Sequence, residues 1–126
     1  DYCAKTRENI NRHKLGQFAE VVHAPLVKVQ LEQDHWDWYD TTLMETSEQT
    51  DILVIDGPPG QIQKLSRYPA LPLLYKQLAN KAAILLDDAA RSDEKQIVDR
   101  WTSEFTDLSQ EYLPLEKGAS ILRYRK

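Results

Sequence analysis

The chain has 126 residues, of which 41% are hydrophobic and 29% are charged, with a formal net charge of −4. This balance is typical of one globular domain or part of one, and it excludes a disordered chain. The acidic charge argues against nucleic acid as a partner, because that binding depends on clustered Lys and Arg. Apolar runs long enough to cross a membrane are absent, and the single Cys3 excludes an intramolecular disulfide. We therefore expect a cytoplasmic protein with neither nucleic acid nor a membrane as partner.

The first half of the chain predicts a helix, a strand and a long loop. Asp1 is a suitable N-cap for a helix over 2–14, and Gly16 follows where helices commonly stop. The β-branched run over 18–23 predicts a strand that ends at Ala24 and Pro25. From 26 to 50 the pattern is mixed, so we expect a loop with at most one helical turn.

The second half predicts strands that alternate with helices. Continuous apolar runs within 51–56 and 82–86 indicate strands covered on both faces, as in a parallel sheet. A helix begins at Pro69 or Pro72 and ends near Asn80, and Ser92 caps a second helix that reaches Phe105. Two final strands, 109–115 and 119–124, form a hairpin. The predicted fold class is α/β, with a mostly parallel sheet and a C-terminal antiparallel hairpin.

Acidic residues stand at the ends of the two strands predicted to be buried. Asp56 ends the first, and Asp87 and Asp88 follow the second. Ligands of open α/β sheets collect at the carboxyl ends of the strands. The three carboxylates either bind Mg²⁺ or another divalent ion, or leave one carboxylate as a base. The equally weighted alternative is that they only accept hydrogen bonds from turns and loops.

These strand ends resemble motifs of class I S-adenosylmethionine-dependent methyltransferases. In one branch of that family the fourth strand ends in D-G-P-P-G and the fifth in D-D-A-x-R, which stand here at 56–60 and 87–91. Residues 67–74, residues 93–101 and the terminal hairpin are similar to the same branch. The resemblance implies a Rossmann-like fold of which this chain is the C-terminal portion. We then expect the first two strands and the glycine-rich cofactor turn upstream of Asp1.

The same resemblance implies cofactor contacts for S-adenosylmethionine. Asp1 would lie next to the ribose, and Ala24, Pro25 and Leu26 would border the adenine ring. Asp56, Gly57 and Pro58 would lie between the methyl group and the acceptor.

The implied reaction is methyl transfer to the hydroxyl of a small-molecule acceptor. The family's N-methyltransferases carry D-P-P-Y here, so the intervening Gly57, together with Gly60 in place of the aromatic residue, disfavours an amine acceptor. Metal-dependent O-methyltransferases are closer, and by that likeness Asp56, Asp87 and Asp88 would hold Mg²⁺. The ion would orient the hydroxyl and lower its pKa. Without an ion, Asp56 or Asp88 would act as the general base.

Three further residues are candidate substrate contacts: Tyr39, Arg67 and Arg91. Tyr39 belongs to an aromatic segment with Trp36 and Trp38 that forms either a lid over the acceptor or, as we favour, a satellite core. Arg67 and Arg91 either anchor an anionic substrate or pair with neighbouring acids at Asp87, Asp88 or Asp93.

Two other functions remain as alternatives. A non-catalytic Rossmann-like scaffold would expose strand edges and form a homo-oligomer. A nicotinamide-dependent dehydrogenase is less favoured, because it would need a G-x-G-x-x-G turn, and no G-x-G occurs in this chain.

Overall fold

The structure, a computed structural model, describes residues 2–44 and 48–126. The helices are α1 (Tyr2–Arg12), α2 (Ala70–Leu74) and α3 (Ser92–Glu104), with 3₁₀ turns at Thr41–Met44 and Tyr75–Gln77. The strands are β1 (Leu26–Leu31), β2 (Asp34–Tyr39), β3 (Thr50–Ile55), β4 (Leu78–Asp87), β5 (Leu108–Leu113) and β6 (Ala119–Arg125). Among the described helices, none has the length and apolar character needed to cross a membrane.

The strands form two sheets in a mixed α/β arrangement. Four strands lie in the order β3-β4-β6-β5, and β1 pairs with β2 in a separate antiparallel sheet. The β3–β4 pair is parallel, whereas β4–β6 and β5–β6 are antiparallel. The prediction of a mostly parallel sheet is therefore wrong, while the terminal hairpin is confirmed. The physical reason is that, within the part of the chain the structure describes, only the β3–β4 connection crosses over to a parallel neighbour.

The region before β3 differs most from its prediction. Residues 18–23, predicted as a strand, form a turn and irregular backbone in which Phe18 is exposed. The predicted loop over 26–50 instead holds the β1–β2 hairpin, with Glu32 in its turn at φ 57°. Trp36 and Trp38 alternate with polar residues along β2, and this period of two places both indoles on the buried face. A strand needs a partner, and β2 supplies one to β1 but not to residues 18–23.

The helix predicted to end near Asn80 is much shorter. After α2 and the 3₁₀ turn at Tyr75–Gln77, the chain enters β4 at Leu78, which pairs with Thr50 of β3. Leu71, Leu74 and Leu78 are all buried, so their spacing fits a helix although the last of them lies in a strand. Spacing alone did not distinguish these two forms of burial.

The core lies on one face of the four-stranded sheet. Its largest fully buried side chains include Trp101 of α3, Leu71 of α2, and Ile84 and Leu122 of the sheet. The indole N–H of Trp101 donates to the carbonyl of Tyr68 at 3.0 Å. The prediction that both apolar runs are covered on both faces is wrong for β3, where Ile52 and Val54 are exposed. These two side chains lie on the face of β3 opposite the buried Ile55.

Gly118 joins the β5–β6 hairpin to the loop after β4. It adopts φ +73°, and a Cβ there would stand 2.7 Å from the amide nitrogen of Ala90. The carbonyl of Gly118 also accepts a hydrogen bond from Ala89 at 3.0 Å. We expect Gly118→Ala to lower the free energy of unfolding by about 1–3 kcal/mol, because both the backbone angle and the contact disfavour a side chain.

Urea denaturation of this variant and of Gly16→Ala provides the check. Gly16 has no atom within 4 Å of the added Cβ, so its substitution should change stability little. Equal effects of the two substitutions would contradict the assigned role of Gly118.

We expect the raised pKa values of two tyrosines, the buried Tyr68 and the partly buried Tyr75, to lower the stability of the fold at high pH. Burial beside Phe105 and Tyr124 raises the pKa of Tyr75 to about 12, and burial with a hydrogen bond to Glu104 raises that of Tyr68. In the unfolded chain a tyrosine ionises at about pH 10. The free energy of unfolding should thus be unaffected by these groups below that pH and fall as the pH rises above it. Urea denaturation from neutral to alkaline pH tests this, and Tyr75→Phe should reduce the dependence; a stability that stays constant would contradict it.

Candidate functional site

The parallel pairing of β3 and β4 brings their acidic ends together. Ile55 pairs with Leu86, so the residues that follow each of them stand at the same edge of the sheet. One oxygen of each carboxylate of Asp56, Asp87 and Asp88 lies within 4.8 Å of the others. We call these three residues the acidic cluster. Asp56 is exposed, whereas Asp88 is buried.

Arg67 lies inside this edge and is only 4% exposed. Its Nε donates to the carbonyl of Pro58 at 3.4 Å, and its Nη1 donates to the carbonyl of Asp87 at 3.1 Å. Its Nη2 stands 3.7 Å from Asp56 Oδ1 and 3.6 Å from Asp88 Oδ2. A guanidinium keeps its charge in proteins, so Arg67 supplies a permanent cation within the acidic cluster.

Arg91 adds a second cation from the start of α3. Its Nη2 lies 3.0 Å from Asp88 Oδ2, and its Nη1 lies 3.9 Å from Glu94 Oε1. Glu94 is 2% exposed, and its Oε2 has no hydrogen-bond partner among the described residues. Arg67 and Arg91 were interpreted either as anchors for an anionic substrate or as partners of neighbouring acids. In the structure both of them pair with Asp88. Asp93, the third acid considered for this pairing, accepts a hydrogen bond from the amide of Leu65 at 3.0 Å.

A divalent ion fits this arrangement poorly. Carboxylate oxygens are ligands that Mg²⁺ prefers, and their spacing is close enough for one ion. The guanidinium of Arg67 nevertheless lies within 4 Å of two of these carboxylates, and its other nitrogens are held by carbonyl groups. An ion bound there would be repelled at short range by Arg67. We therefore derive no catalytic step through a metal.

Tyr39 reaches the same edge from the β1–β2 hairpin. A Cβ added to Gly57 would stand 2.5 Å from the hydroxyl oxygen of Tyr39, so this close approach requires glycine. Burial raises the pKa of Tyr39, Arg67 lowers it and Asp56 raises it again. Trp36 and Trp38 are buried instead, and they belong to the main hydrophobic cluster rather than to the separate satellite core that the sequence favoured.

Two cavities meet at Asp56. The hairpin cavity, of about 320 Å³, lies between β2, β3 and α2. The arginine cavity, of about 440 Å³, is bordered by the loop after β3 and by Arg67 and Arg91. A larger cavity of about 630 Å³ lies at the other end of β4, around Lys81 and Asp107, and does not include the acidic cluster.

The residues expected at the cofactor are only partly brought to this edge. Asp1 lies outside the described residues. Gly57 and Pro58 follow Asp56 directly, and the carbonyl of Pro58 also accepts a hydrogen bond from Ser66 at 3.3 Å. The residues expected at the adenine ring, Ala24, Pro25 and Leu26, were predicted to follow a strand, but they lie at the start of the β1–β2 hairpin. Leu26 pairs with Tyr39 there, and the carbonyl of Pro25 accepts a hydrogen bond from the amide of Asp40.

Two features of the site escaped the sequence analysis. The contact between Tyr39 and Gly57 joins residues 18 positions apart, and nothing local in the sequence indicates it. The pair of Arg91 with Glu94 also escaped it, although the spacing of three residues between them was a signal for a pair.

Comparison of the chain with protein-family models and with curated proteins finds no match.

Proposed function

We propose that the protein transfers a methyl group from S-adenosylmethionine to the hydroxyl of a small molecule, with Asp56 as the general base. The observation that carries this proposal is the position of Asp56, whose exposed carboxylate borders both cavities. A cofactor and an acceptor held on its two sides would meet at this carboxylate. The motif resemblance around 56–60 and 87–91 supports the same assignment.

The charge of the site fits the cofactor. Asp56, Asp87, Asp88 and Glu94 face two guanidinium groups, which leaves an excess of two negative charges. S-adenosylmethionine carries a positive sulfonium, which this excess would attract, whereas an anionic ligand would be repelled. When bound, the cofactor supplies an activated methyl group. The chain itself has to align the acceptor and accept its proton.

Asp56 and Asp88 then have different tasks. Asp56 has a side chain that is 68% exposed, so it can reach the proton of an acceptor hydroxyl. Asp88 is buried and lies within 4 Å of both arginines, so a substrate cannot approach it in the same way. We therefore assign general-base catalysis to Asp56 alone, and to Asp88 the positioning of Arg67.

The reaction is expected to be independent of divalent metal. Incubation with S-adenosylmethionine and a panel of small hydroxyl compounds should release S-adenosylhomocysteine, which mass spectrometry quantifies. EDTA should change the rate less than about twofold, because Arg67 would repel an ion at the acidic cluster. Loss of turnover in EDTA and its recovery with Mg²⁺ would contradict this assignment.

A scaffold is the second candidate, and it has one observation in its favour. β3 lies at the edge of its sheet, and Ile52 and Val54 are 69% and 59% exposed. Exposed apolar edges favour pairing with another chain. Sedimentation equilibrium would show a homo-oligomer that Val54→Lys dissociates. A monomer at high concentration would remove this candidate.

A further inference from the structure

We propose that the hairpin cavity binds the apolar body of the acceptor and that Tyr39, held by Gly57, selects an uncharged hydroxyl compound. The inference rests on the proposed function, since it names the acceptor class of the same site. The residues that carry it lie on three elements that converge at the carboxyl end of β3.

The walls of the hairpin cavity are apolar. Its volume of about 320 Å³ lies at the small end of the range for ligand sites. Such a space suits a compact, flat body such as a single ring. The apolar residues that border it come from β2, the adjacent 3₁₀ turn, β3 and α2: Trp38, Met44, Leu53, Val54, Ile55, Ala70 and Leu74.

Two of the residues that border the cavity, Asp56 and Tyr39, have polar side chains. Both lie next to Gly57, which follows Asp56 in the chain and which the hydroxyl of Tyr39 approaches closely. A carboxylate accepts a proton and a phenol can donate or accept a hydrogen bond, so the two groups together suit a hydroxyl. A carboxylate on the acceptor would face Asp56 and be repelled.

Gly57 sets the position of Tyr39. Its missing side chain lets the phenol oxygen approach the backbone, and Arg67 and Asp56 both influence that oxygen. The β1–β2 hairpin therefore brings the ring of Tyr39 to the end of β3. The segment 56–60 that follows β3 ends in Gly60 and contains no aromatic residue of its own. Tyr39 is thus a specificity-determining residue that belongs to a distant part of the chain.

NMR titration of the natural polypeptide with small aromatic probes tests this proposal. The chain has three tryptophans and hence three indole N–H signals. Trp38 borders the cavity, whereas Trp101 is fully buried with its N–H bonded to Tyr68, so Trp101 serves as the internal control. Trp38→Phe assigns the signal. The probes are phenol, toluene and benzoate, which share a ring and differ in the polar group.

Phenol should shift the Trp38 signal and leave the Trp101 signal in place. It should bind about 2- to 10-fold more tightly than toluene, the usual effect of one hydrogen bond, and at least about 10-fold more tightly than benzoate. An unmoved Trp38 signal at the solubility limit of phenol, or equal binding of benzoate, would overturn the proposal. Because no cofactor is present, a failed cofactor titration would leave this result unaffected.

Variants at Tyr39 and Gly57 separate an effect on selectivity from an effect on folding. Tyr39→Phe should bring the ratio of phenol to toluene affinity close to about 1, since the hydroxyl supplies the difference. Gly57→Ala should perturb phenol binding, because its Cβ would overlap the Tyr39 oxygen. In the Tyr39→Phe background the same substitution should be harmless, since the nearest ring carbon is 3.7 Å away. Gly60→Ala, whose nearest neighbour lies at 3.8 Å, is the matched control. A phenol preference that survives Tyr39→Phe would refute the role of Tyr39.

Discussion

Replacing Arg67 by methionine is expected to lower the free energy of unfolding by about 3–5 kcal/mol, the usual effect of breaking a buried ion pair. Arg67 is 4% exposed, and its loss would leave the buried carboxylate of Asp88 with only the partly exposed Arg91. It would also remove the donors to the carbonyls of Pro58 and Asp87. Urea denaturation monitored by tryptophan fluorescence measures the change.

Two further variants isolate the charge effect. Arg91→Met should destabilise less, because Arg91 is 51% exposed and its pair is screened by water. The double variant Arg67→Met/Asp88→Asn should be more stable than Arg67→Met alone, since the uncompensated charge is gone. Asparagine also tolerates the positive φ of 55° at position 88.

The same variant tests why the acidic cluster does not favour a metal. Without the guanidinium, the carboxylates of Asp56, Asp87 and Asp88 would repel one another and attract a divalent ion. Mg²⁺ should therefore stabilise Arg67→Met and leave the natural chain unchanged. Equal stabilisation of both chains would show that Arg67 does not compete with the ion.

Replacing Asp56 by asparagine is expected to slow methyl transfer by about 10²- to 10⁴-fold, the usual contribution of a general base. The amide keeps the shape of the side chain but cannot accept the proton of the hydroxyl. Since Asp56 is exposed, the variant should fold normally. The release of S-adenosylhomocysteine at saturating substrates measures the effect.

Asp51→Asn is the matched control for that experiment. Asp51 lies near the opposite end of β3, away from the acidic cluster, and is also exposed. It should retain the full rate, although it changes the net charge equally. A rate for Asp56→Asn within a few fold of the natural rate would exclude general-base catalysis by Asp56 and leave only alignment of the substrates.

The sequence predicted the elements whose signals are local. The apolar runs of β3 and β4, the helix capped at Ser92 and the hairpin at Gly118 all lie close to their predicted places. The β1–β2 hairpin was missed, because the alternation of Trp36 and Trp38 with aspartate was interpreted as an aromatic loop. The predicted strand over 18–23 failed for a different reason. A β-branched run becomes a strand only when a neighbour satisfies its backbone groups.

In the candidate site, too, only the features with a local signal in the sequence were predictable. The carboxylates of Asp56 and Asp88 stand at the ends of neighbouring strands, and sheet geometry alone brings them together. The pairing of Arg67 with Asp88 was one of the two interpretations of this residue, but its burial was not predictable, because it follows Asp56 by 11 residues of irregular chain and turns inward only in the folded state. The sequence predicted a metal site here without a competing cation, whereas in the structure Arg67 pairs with Asp56 and Asp88.

Calorimetric titration of S-adenosylhomocysteine into the natural polypeptide, with any residues that its gene encodes before Asp1, tests the central claim most directly. We predict micromolar binding that is the same with and without Mg²⁺. Weaker binding by Asp56→Asn would connect the cofactor to this edge of the sheet. The absence of binding in both buffers would contradict the assignment as a methyltransferase and leave the scaffold as the better explanation.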